Sequence, residues 1–235
     1  MWWVVLFVWC TDAQVYPFMV DVYFSAMLLC SGVHVRDGVV LTSALLVEKA
    51  PELMTVHINA SRTLEGRALG PGHRVLGVAF HPKFKRSIAS KYNVALLGLA
   101  TPVKPFQKVV LDGKGLWKYL PQSGLRLVGW GWELGEWDDV EKFYSLPVWQ
   151  LPLDECRKRH HKPIDSSHEF CVDDSQGNAK ASLMSSGSAV LFQEKDTVKL
   201  VGIMSWSSYN GFSDYTPPVM LGISAVARWI EETIE

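Results

Sequence analysis

Most of the chain alternates short apolar runs with turn-forming residues, a pattern that is typical of β-strands. The clearest alternation has a period of two, with Phe18, Val20, Val22 and Phe24 each separated by one residue. Further short apolar runs, bounded by Gly, Pro, Asp or Ser, lie at 39–47, 94–99, 125–130, 189–192 and 200–206. Strands at this spacing, without helical patterns between them, predict an all-β sandwich or barrel rather than βαβ units.

The last residues of the pattern have a different period. Ile223, Val226, Trp229, Ile230 and Ile234 recur at steps of three and four residues. This spacing puts them on one face of an α-helix. We therefore expect an amphipathic closing helix whose apolar face packs on the β-structure.

The first residues suggest a secretion signal. Residues 2–10 form an unbroken apolar run that is too short to span a bilayer but suits the hydrophobic region of a signal peptide. Small residues follow at the positions that a signal peptidase inspects, which predicts a signal peptide over 1–13 with cleavage after Ala13. The run is preceded by no Lys or Arg, and a buried first strand is the alternative interpretation.

Composition narrows the class of protein. The 235 residues include 23 Lys+Arg and 24 Asp+Glu, so the formal net charge is -1. This balance argues against nucleic acid as a partner, because such proteins carry a strong basic excess. The apolar share of 48% is that of a globular protein. No apolar run has the roughly 18 residues of a membrane helix, so we expect no membrane association after signal cleavage.

Export would determine how the cysteines are used. Cys10 would leave with the signal, and the three that remain would form one pair and one free thiol in an oxidising compartment. Asn59-Ala60-Ser61 is a glycosylation sequon, which predicts a glycan on Asn59 in an exposed loop of a secreted chain.

Eight segments resemble, in order, the motifs of one protein family. They are Pro17-Phe18-Met19-Val20, Cys30-Ser31-Gly32 with 39–44, His81-Pro82, 93–97, Gly129-Trp130-Gly131, Cys156 with Cys171, Ser185-Ser186-Gly187 and 201–206. From about Tyr16 to residue 235 the chain resembles the trypsin-like serine proteases. The resemblance implies two packed six-stranded antiparallel Greek-key barrels with a C-terminal helix. It implies a first barrel at about 14–110 and a second at about 118–235.

The resemblance also shows which catalytic residues are missing. The family's mechanism needs a hydroxyl nucleophile, an imidazole base and a carboxylate that orients the base. The base position is Leu45 and the carboxylate position is Asn93, so only the hydroxyl of Ser186 remains. Loss of the base alone costs roughly 10⁶-fold in turnover in another protease that uses the same three groups. The resemblance therefore implies a non-catalytic homologue of the arthropod type.

Other positions that support catalysis in the family are altered as well. The oxyanion-hole glycine is replaced by Met184, whose side chain would crowd the approach of a substrate carbonyl. The aspartate that pairs with the new N-terminus after zymogen cleavage is replaced by Ser185, and the base of the specificity pocket is Lys180. A further family cysteine pair is replaced by Leu125 and Phe192, which could pack together.

The resemblance assigns roles to the cysteines and to the former substrate strand. It implies a disulfide between Cys156 and Cys171, and it leaves Cys30 free because its partner position is Leu46. Cys30 is then either a small buried thiol or the site of an intermolecular disulfide. The former cleft is lined near three candidate binding residues, Ser205, Trp206 and Ser207.

The densest charge run lies at 157–162 and includes Arg157, Lys158 and Arg159. It is either a docking site for an acidic partner, such as an anionic glycan, or an ordinary solvated helix face. Two adjacent histidines in this run do not by themselves make a metal site, so we expect no metal and no cofactor.

These observations predict a secreted, catalytically inactive serine protease homologue. Similar homologues act as cofactors, decoys or scaffolds, which implies extracellular protein partners such as active proteases or other protease homologues, in immunity or in reproduction. Two alternatives remain open: a weak serine hydrolase that uses Ser186 with a non-standard base, and a glycan- or matrix-binding protein that uses the 157–162 run.

Overall fold

The structure is a computed structural model. It describes residues 16–25, 27–47, 51–58, 61–62, 68–69, 71–86, 91–104, 107–119, 124–133, 140–160, 163–174, 185–207 and 216–235. The predicted signal peptide, Asn59, Lys180 and Met184 lie outside these residues.

Strands dominate the described part of the chain, as the period-two pattern predicts. The strands are β1 Met19–Phe24, β2 Met27–Arg36, β3 Val39–Thr42, β4 Met54–Ile58, β5 Ser61–Arg62, β6 Ala68–Leu69, β7 His73–Phe80, β8 Ala95–Leu99, β9 Val110–Leu111, β10 Leu125–Glu133, β11 Val140–Gln150, β12 Glu169–Asp174, β13 Ala189–Glu194, β14 Thr197–Trp206 and β15 Val219–Gly222. The helices are α1 Leu153–His160 and α2 Ala227–Ile234. Neither they nor any other helix in the described ranges is long and apolar enough to cross a bilayer.

The first barrel is closed by six antiparallel strands in the order β1, β2, β3, β8, β7 and β4. The alternation in β1 explains its two buried faces. Val20 and Val22 pack inside the first barrel, whereas Met19, which points to the opposite face of β1, packs in the core between the two barrels. Successive strand residues point to opposite faces, so both faces of β1 can be covered with apolar contacts.

The second barrel closes by the same principle. Its antiparallel order is β13, β10, β11, β12, β15 and β14, and the β13–β14 pairing completes the ring. The short strand β9 adds to this barrel by pairing in parallel with β14. Leu125 and Phe192 lie directly opposite each other on β10 and β13, so an apolar contact stands where the family has a disulfide. The predicted fold of two six-stranded antiparallel barrels is confirmed.

The predicted closing helix is also confirmed. The apolar periodicity begins in a 3₁₀ turn at Ile223–Ala225, and α2 then begins at Ala227. Ile223, Val226 and Ile230 are buried in the core between the barrels, together with residues from both. The helix therefore stabilises the packing of one barrel on the other.

The strand predicted over 39–47 is shorter than its apolar run. β3 ends at Thr42, and Ala44 and Val47 continue into the core as irregular structure. The chain leaves the sheet here because the Leu45 backbone amide donates a hydrogen bond to the Asn93 side chain instead of to a neighbouring strand.

Cys30 is a core residue of the first barrel. Its side chain is fully buried, belongs to the same apolar cluster as Leu46, and lies 3.3 Å from Thr42 Oγ1. Burial is the main cause that raises the pKa of the Cys30 thiol to about 12. The buried, protonated thiol supports the first of the two interpretations, because an intermolecular disulfide needs an accessible thiolate.

An aromatic ladder crosses from one barrel to the other. We use this name for Trp229, His81, Tyr92 and His168, whose rings follow one another in that order. Tyr92 is stacked between the two imidazoles, with ring centroids 4.7 Å from His81 and 4.6 Å from His168. Trp229 of α2 meets His81 edge to face at 5.0 Å. The ladder thus joins the first barrel, the second barrel and the C-terminal helix.

We predict that the ladder makes stability depend on pH. Burial, and then the nearby Lys83, lower the pKa of His81 below its ordinary 6.5. The folded chain therefore binds this proton less tightly than the unfolded chain. The His81 contribution is complete above pH 6.5 and is lost as the pH falls below that value towards the folded pKa.

Thermal unfolding of the parent and His81→Phe between about pH 7.5 and about pH 5 tests this prediction. The variant keeps a stacked ring without a titrating nitrogen, so its unfolding temperature should fall less on acidification. The unfolding temperature of the variant should still fall on acidification, because burial also lowers the pKa of His34. If the unfolding temperatures of the two proteins changed equally with pH, the prediction would be contradicted.

Candidate functional site

The Asn93 side chain connects three segments where the two barrels meet. Its Oδ1 accepts hydrogen bonds from the Leu45 backbone amide at 2.7 Å and from Ser43 Oγ at 3.2 Å. Its Nδ2 donates to the Ser205 carbonyl at 2.6 Å. Asn93 immediately precedes Val94 and β8 of the first barrel, whereas Ser205 lies on β14 of the second. One buried carboxamide therefore holds the two barrels in register at this point.

These contacts require an amide rather than a carboxylate. The Leu45 amide can only donate, so the atom facing it is the Asn93 oxygen, and the Ser205 carbonyl can only accept, so the atom facing it is the nitrogen. A carboxylate at this position would direct an oxygen at the Ser205 carbonyl. Asn93 therefore fits its surroundings as a structural residue, and the residue it supports, Leu45, has no nitrogen that could accept a proton.

The loop that contains Ser186 is held mainly by its backbone. Ser31 N donates to the Ser186 carbonyl at 3.1 Å, Ser185 N donates to the Trp130 carbonyl at 2.8 Å, and Gly187 N donates to the Met204 carbonyl at 2.9 Å. Ser186 itself is half-buried. Within the part of the chain that the structure describes, its hydroxyl forms no hydrogen bond with a histidine.

Gly187 is required by a close approach between the two barrels. Its φ is 85°, and a Cβ atom at this position would lie 2.0 Å from the Ser31 carbonyl oxygen. A side chain could not fit without displacement of the backbone. The glycine therefore allows the Ser186 loop to lie directly against β2.

Ser31 adds a hydroxyl to this contact. Its Oγ accepts a hydrogen bond from the Trp130 backbone amide at 3.0 Å and lies 3.4 Å from Ser188 Oγ. Ser188 Oγ also donates to the Ser185 carbonyl at 2.7 Å. Internal hydroxyl groups thus add to the backbone hydrogen bonds that hold the described part of the loop. From sequence, Ser31 was identified only as part of the Cys30-Ser31-Gly32 motif. Its hydroxyl group, next to Cys30, was the signal that could have indicated a hydrogen-bonding role.

The three candidate binding residues on β14 are unequally exposed. Ser205 and Trp206 are only 1% and 4% exposed, whereas Ser207 is half-buried. The Trp206 indole packs with Leu151 and Val219 beside the cysteine pair, rather than lining an open cleft. Of the three, Ser207 is the side chain that an external partner could contact in this conformation.

The predicted disulfide between Cys156 and Cys171 is confirmed, and it joins α1 to β12 with the Cα atoms 6.0 Å apart. His160, on the same face of α1, donates through Nε2 to the Pro217 carbonyl at 2.7 Å and meets the Trp206 ring edge to face at 4.9 Å. Within the described ranges, Cys156, His160 and Cys171 form a group whose side chains are close enough to hold a metal ion.

The basic run is partly engaged in internal contacts. Arg159 bridges Asp173, a fully buried carboxylate at 2.9 Å, and Glu155 on the preceding turn of α1. Arg157 donates to the Ile164 carbonyl at 2.9 Å. Lys158 is exposed. Because Arg159 neutralises a buried carboxylate, little of its charge is available to attract an external polyanion.

Two closed antiparallel barrels, meeting where Leu45, Asn93 and Ser205 are hydrogen-bonded, define a trypsin-like serine protease fold. The family model described as Trypsin matches residues 9–230, and the chain belongs to this family. It is similar to human Serine protease 56, with 26% identity over 230 residues, which are 92% of this chain and 36% of the human protein. The chain thus spans about a third of the length of that relative.

We predict that Asn93→Asp destabilises the protein near neutral pH. The introduced carboxylate would face the Ser205 carbonyl, so its pKa would be raised in the folded state and it would favour the protonated form. The free energy of unfolding should fall by about 1–3 kcal/mol at pH values where the introduced carboxyl group is ionised. The loss should shrink as the pH falls towards the ordinary value of about 4, because the protonated acid can again donate to Ser205.

Urea unfolding of the parent and the variant at several pH values measures this difference. Asn93→Ala, which has no titrating group, is the matched control and should show a deficit that does not depend on pH. If the free energies of unfolding of the parent and Asn93→Asp differed by the same amount at every pH, the electrostatic argument would be contradicted.

Proposed function

We propose that this chain is a secreted, non-catalytic member of the trypsin family that binds other extracellular proteins as a regulator or scaffold. The observation that carries the proposal is the hydrogen bonding of Asn93. Its oxygen accepts from Leu45 and Ser43, its nitrogen donates to Ser205, and the side chain of Leu45 is aliphatic.

The chemistry of Ser186 supports the absence of catalysis. A serine hydroxyl is a weak nucleophile unless a neighbouring base removes its proton. None of the histidines in the described ranges is hydrogen-bonded to Ser186, and His81 and His168 are stacked on Tyr92 in the aromatic ladder. The proposal therefore gives Ser186 a structural role, in which its carbonyl anchors the loop to Ser31.

The same loop supports a binding role. In the family, this segment depends on an aspartate that pairs with the N-terminus released by zymogen cleavage, and this chain has Ser185 at that position. Here Ser31, Ser188 and the Trp130 backbone hold the loop. A surface beside Ser207 would then be formed without proteolytic activation, as a constitutive regulator requires.

Secretion is proposed from the N-terminal apolar run and from the disulfide. A bond between Cys156 and Cys171 persists in an oxidising compartment. Proteins of that compartment, including active proteases and other protease homologues, are the proposed partners. The anionic-glycan alternative is weaker, because Arg159 is committed to Asp173 and Arg157 to a backbone carbonyl.

A serine-directed fluorophosphonate tests the catalytic part of the proposal. We expect no labelling that depends on Ser186, and peptide hydrolysis lower than that of an active family member by roughly 10⁶-fold. Ser186→Ala is the control, and it should be indistinguishable from the parent. Labelling that disappears in Ser186→Ala would instead support the hydrolase alternative.

Affinity purification after cross-linking, from the fluid that contains the protein, tests the binding part. Ser207→Tyr adds bulk at the half-buried position directly after β14, and we expect it to reduce partner recovery by about tenfold, equivalent to about 1.4 kcal/mol. Thr101→Tyr, at an exposed position after β8, is the matched control and should recover the partner normally. Equal recovery with both variants would reject the surface beside Ser207.

A further inference from the structure

Three side chains that can bind metal ions converge beneath the end of β14. Cys156 and His160 are four residues apart on α1, which places them on one face of the helix. Cys171 lies opposite them on β12. The ligand atoms of the three residues lie within 4.8 Å of one another, and all three side chains are buried.

The hydrogen bond of His160 determines its tautomer. A backbone carbonyl can only accept, so His160 Nε2 carries the proton that it donates to Pro217, and the lone pair is on Nδ1. Histidines that bind metals commonly donate their other ring N–H to a backbone carbonyl, which fixes both the tautomer and the ring orientation. The edge-to-face contact with Trp206 further restricts the imidazole.

We propose that, when the Cys156–Cys171 disulfide is reduced, these three residues form a Zn²⁺ site. A phosphine reductant cleaves the S–S bond, takes an oxygen atom from water to become the phosphine oxide, and leaves two thiols. Both thiols lose their protons to solvent as Zn²⁺ binds, and neutral His160 completes a Cys₂His set. The same cluster thus holds either a covalent bond or a metal ion.

The distances between the three side chains are compatible with the metal-bound state. Zinc lies about 2.3 Å from sulfur and about 2.0 Å from imidazole nitrogen in tetrahedral sites, so neighbouring ligand atoms are about 3.5–3.8 Å apart. The sulfur atoms must separate to reach that value, and the imidazole is already within 4.8 Å of both. Two thiolates and an imidazole favour zinc over the harder cations magnesium and calcium. The fourth position would be left for water.

Cobalt(II) is the probe for this site, because its absorption reports tetrahedral thiolate coordination. The parent for the experiment carries Cys10→Ser and Cys30→Ser, so that the only thiols are Cys156 and Cys171. After reduction with a phosphine and removal of the reductant without oxygen, we expect one Co²⁺ per chain. Addition of Zn²⁺ should displace the cobalt and abolish the absorption, whereas the oxidised protein should bind neither ion.

His160→Gln is the decisive variant, because it keeps an N–H donor for the Pro217 carbonyl but lacks the imidazole ligand. We expect its affinity for Co²⁺ to fall at least tenfold. His73→Gln, on β7 of the other barrel, is the matched control and should bind as the parent does. Equal affinity in His160→Gln, with circular dichroism showing an intact fold, would overturn the proposal.

A second measurement does not depend on any histidine variant. Zn²⁺ should raise the thermal unfolding temperature of the reduced parent, because a ligand that binds only the folded state stabilises it. It should leave the oxidised parent unchanged. A reduced protein that retains no zinc after dialysis, or whose unfolding temperature does not respond to it, would exclude the site.

Discussion

The contact between the two barrels around Leu45 and Ser205 depends on the hydrogen bonds of one buried amide. Asn93 is completely buried, and both of its polar atoms are satisfied by groups on different barrels. A buried donor or acceptor that loses its partner costs about 1–3 kcal/mol, so the segments of Leu45 and Ser205 are tied to the position of this side chain. The constraint fixes the Leu45 segment of the first barrel against β14 of the second barrel at this point.

The chain has the architecture of the trypsin family, with Leu45, Asn93 and Ser186 where the two barrels meet. The backbone of the 185–188 loop is anchored to Ser31 and Trp130, and Gly187 allows the contact that brings it to β2. These contacts depend on main-chain geometry and on hydroxyl groups, whereas proton transfer depends on an imidazole. The contacts that position the loop therefore do not depend on an imidazole.

The fold could be predicted from sequence because its signals are local and ordered. The alternation of Phe18 to Phe24 and the helical spacing after Ile223 follow directly from strand and helix geometry. The burial of Trp206 and the engagement of Arg159 could not be predicted in this way. They depend on Val219 and Asp173, which lie 13 and 14 residues away in the chain and come close only in the folded barrel. The role of His160 was missed for the same reason.

The position of α2 has a consequence for how the protein is made. Val226 and Ile230 fill the core between the barrels, and Trp229 completes the aromatic ladder, so the interface requires residues that the ribosome adds after both barrels. The barrels can begin to form and to make contact during synthesis, but the apolar core between them is complete only after residue 230 has left the exit tunnel. Until then, the apolar surface that Val226 and Ile230 cover in the folded protein is exposed on the nascent chain, where it can contribute to aggregation.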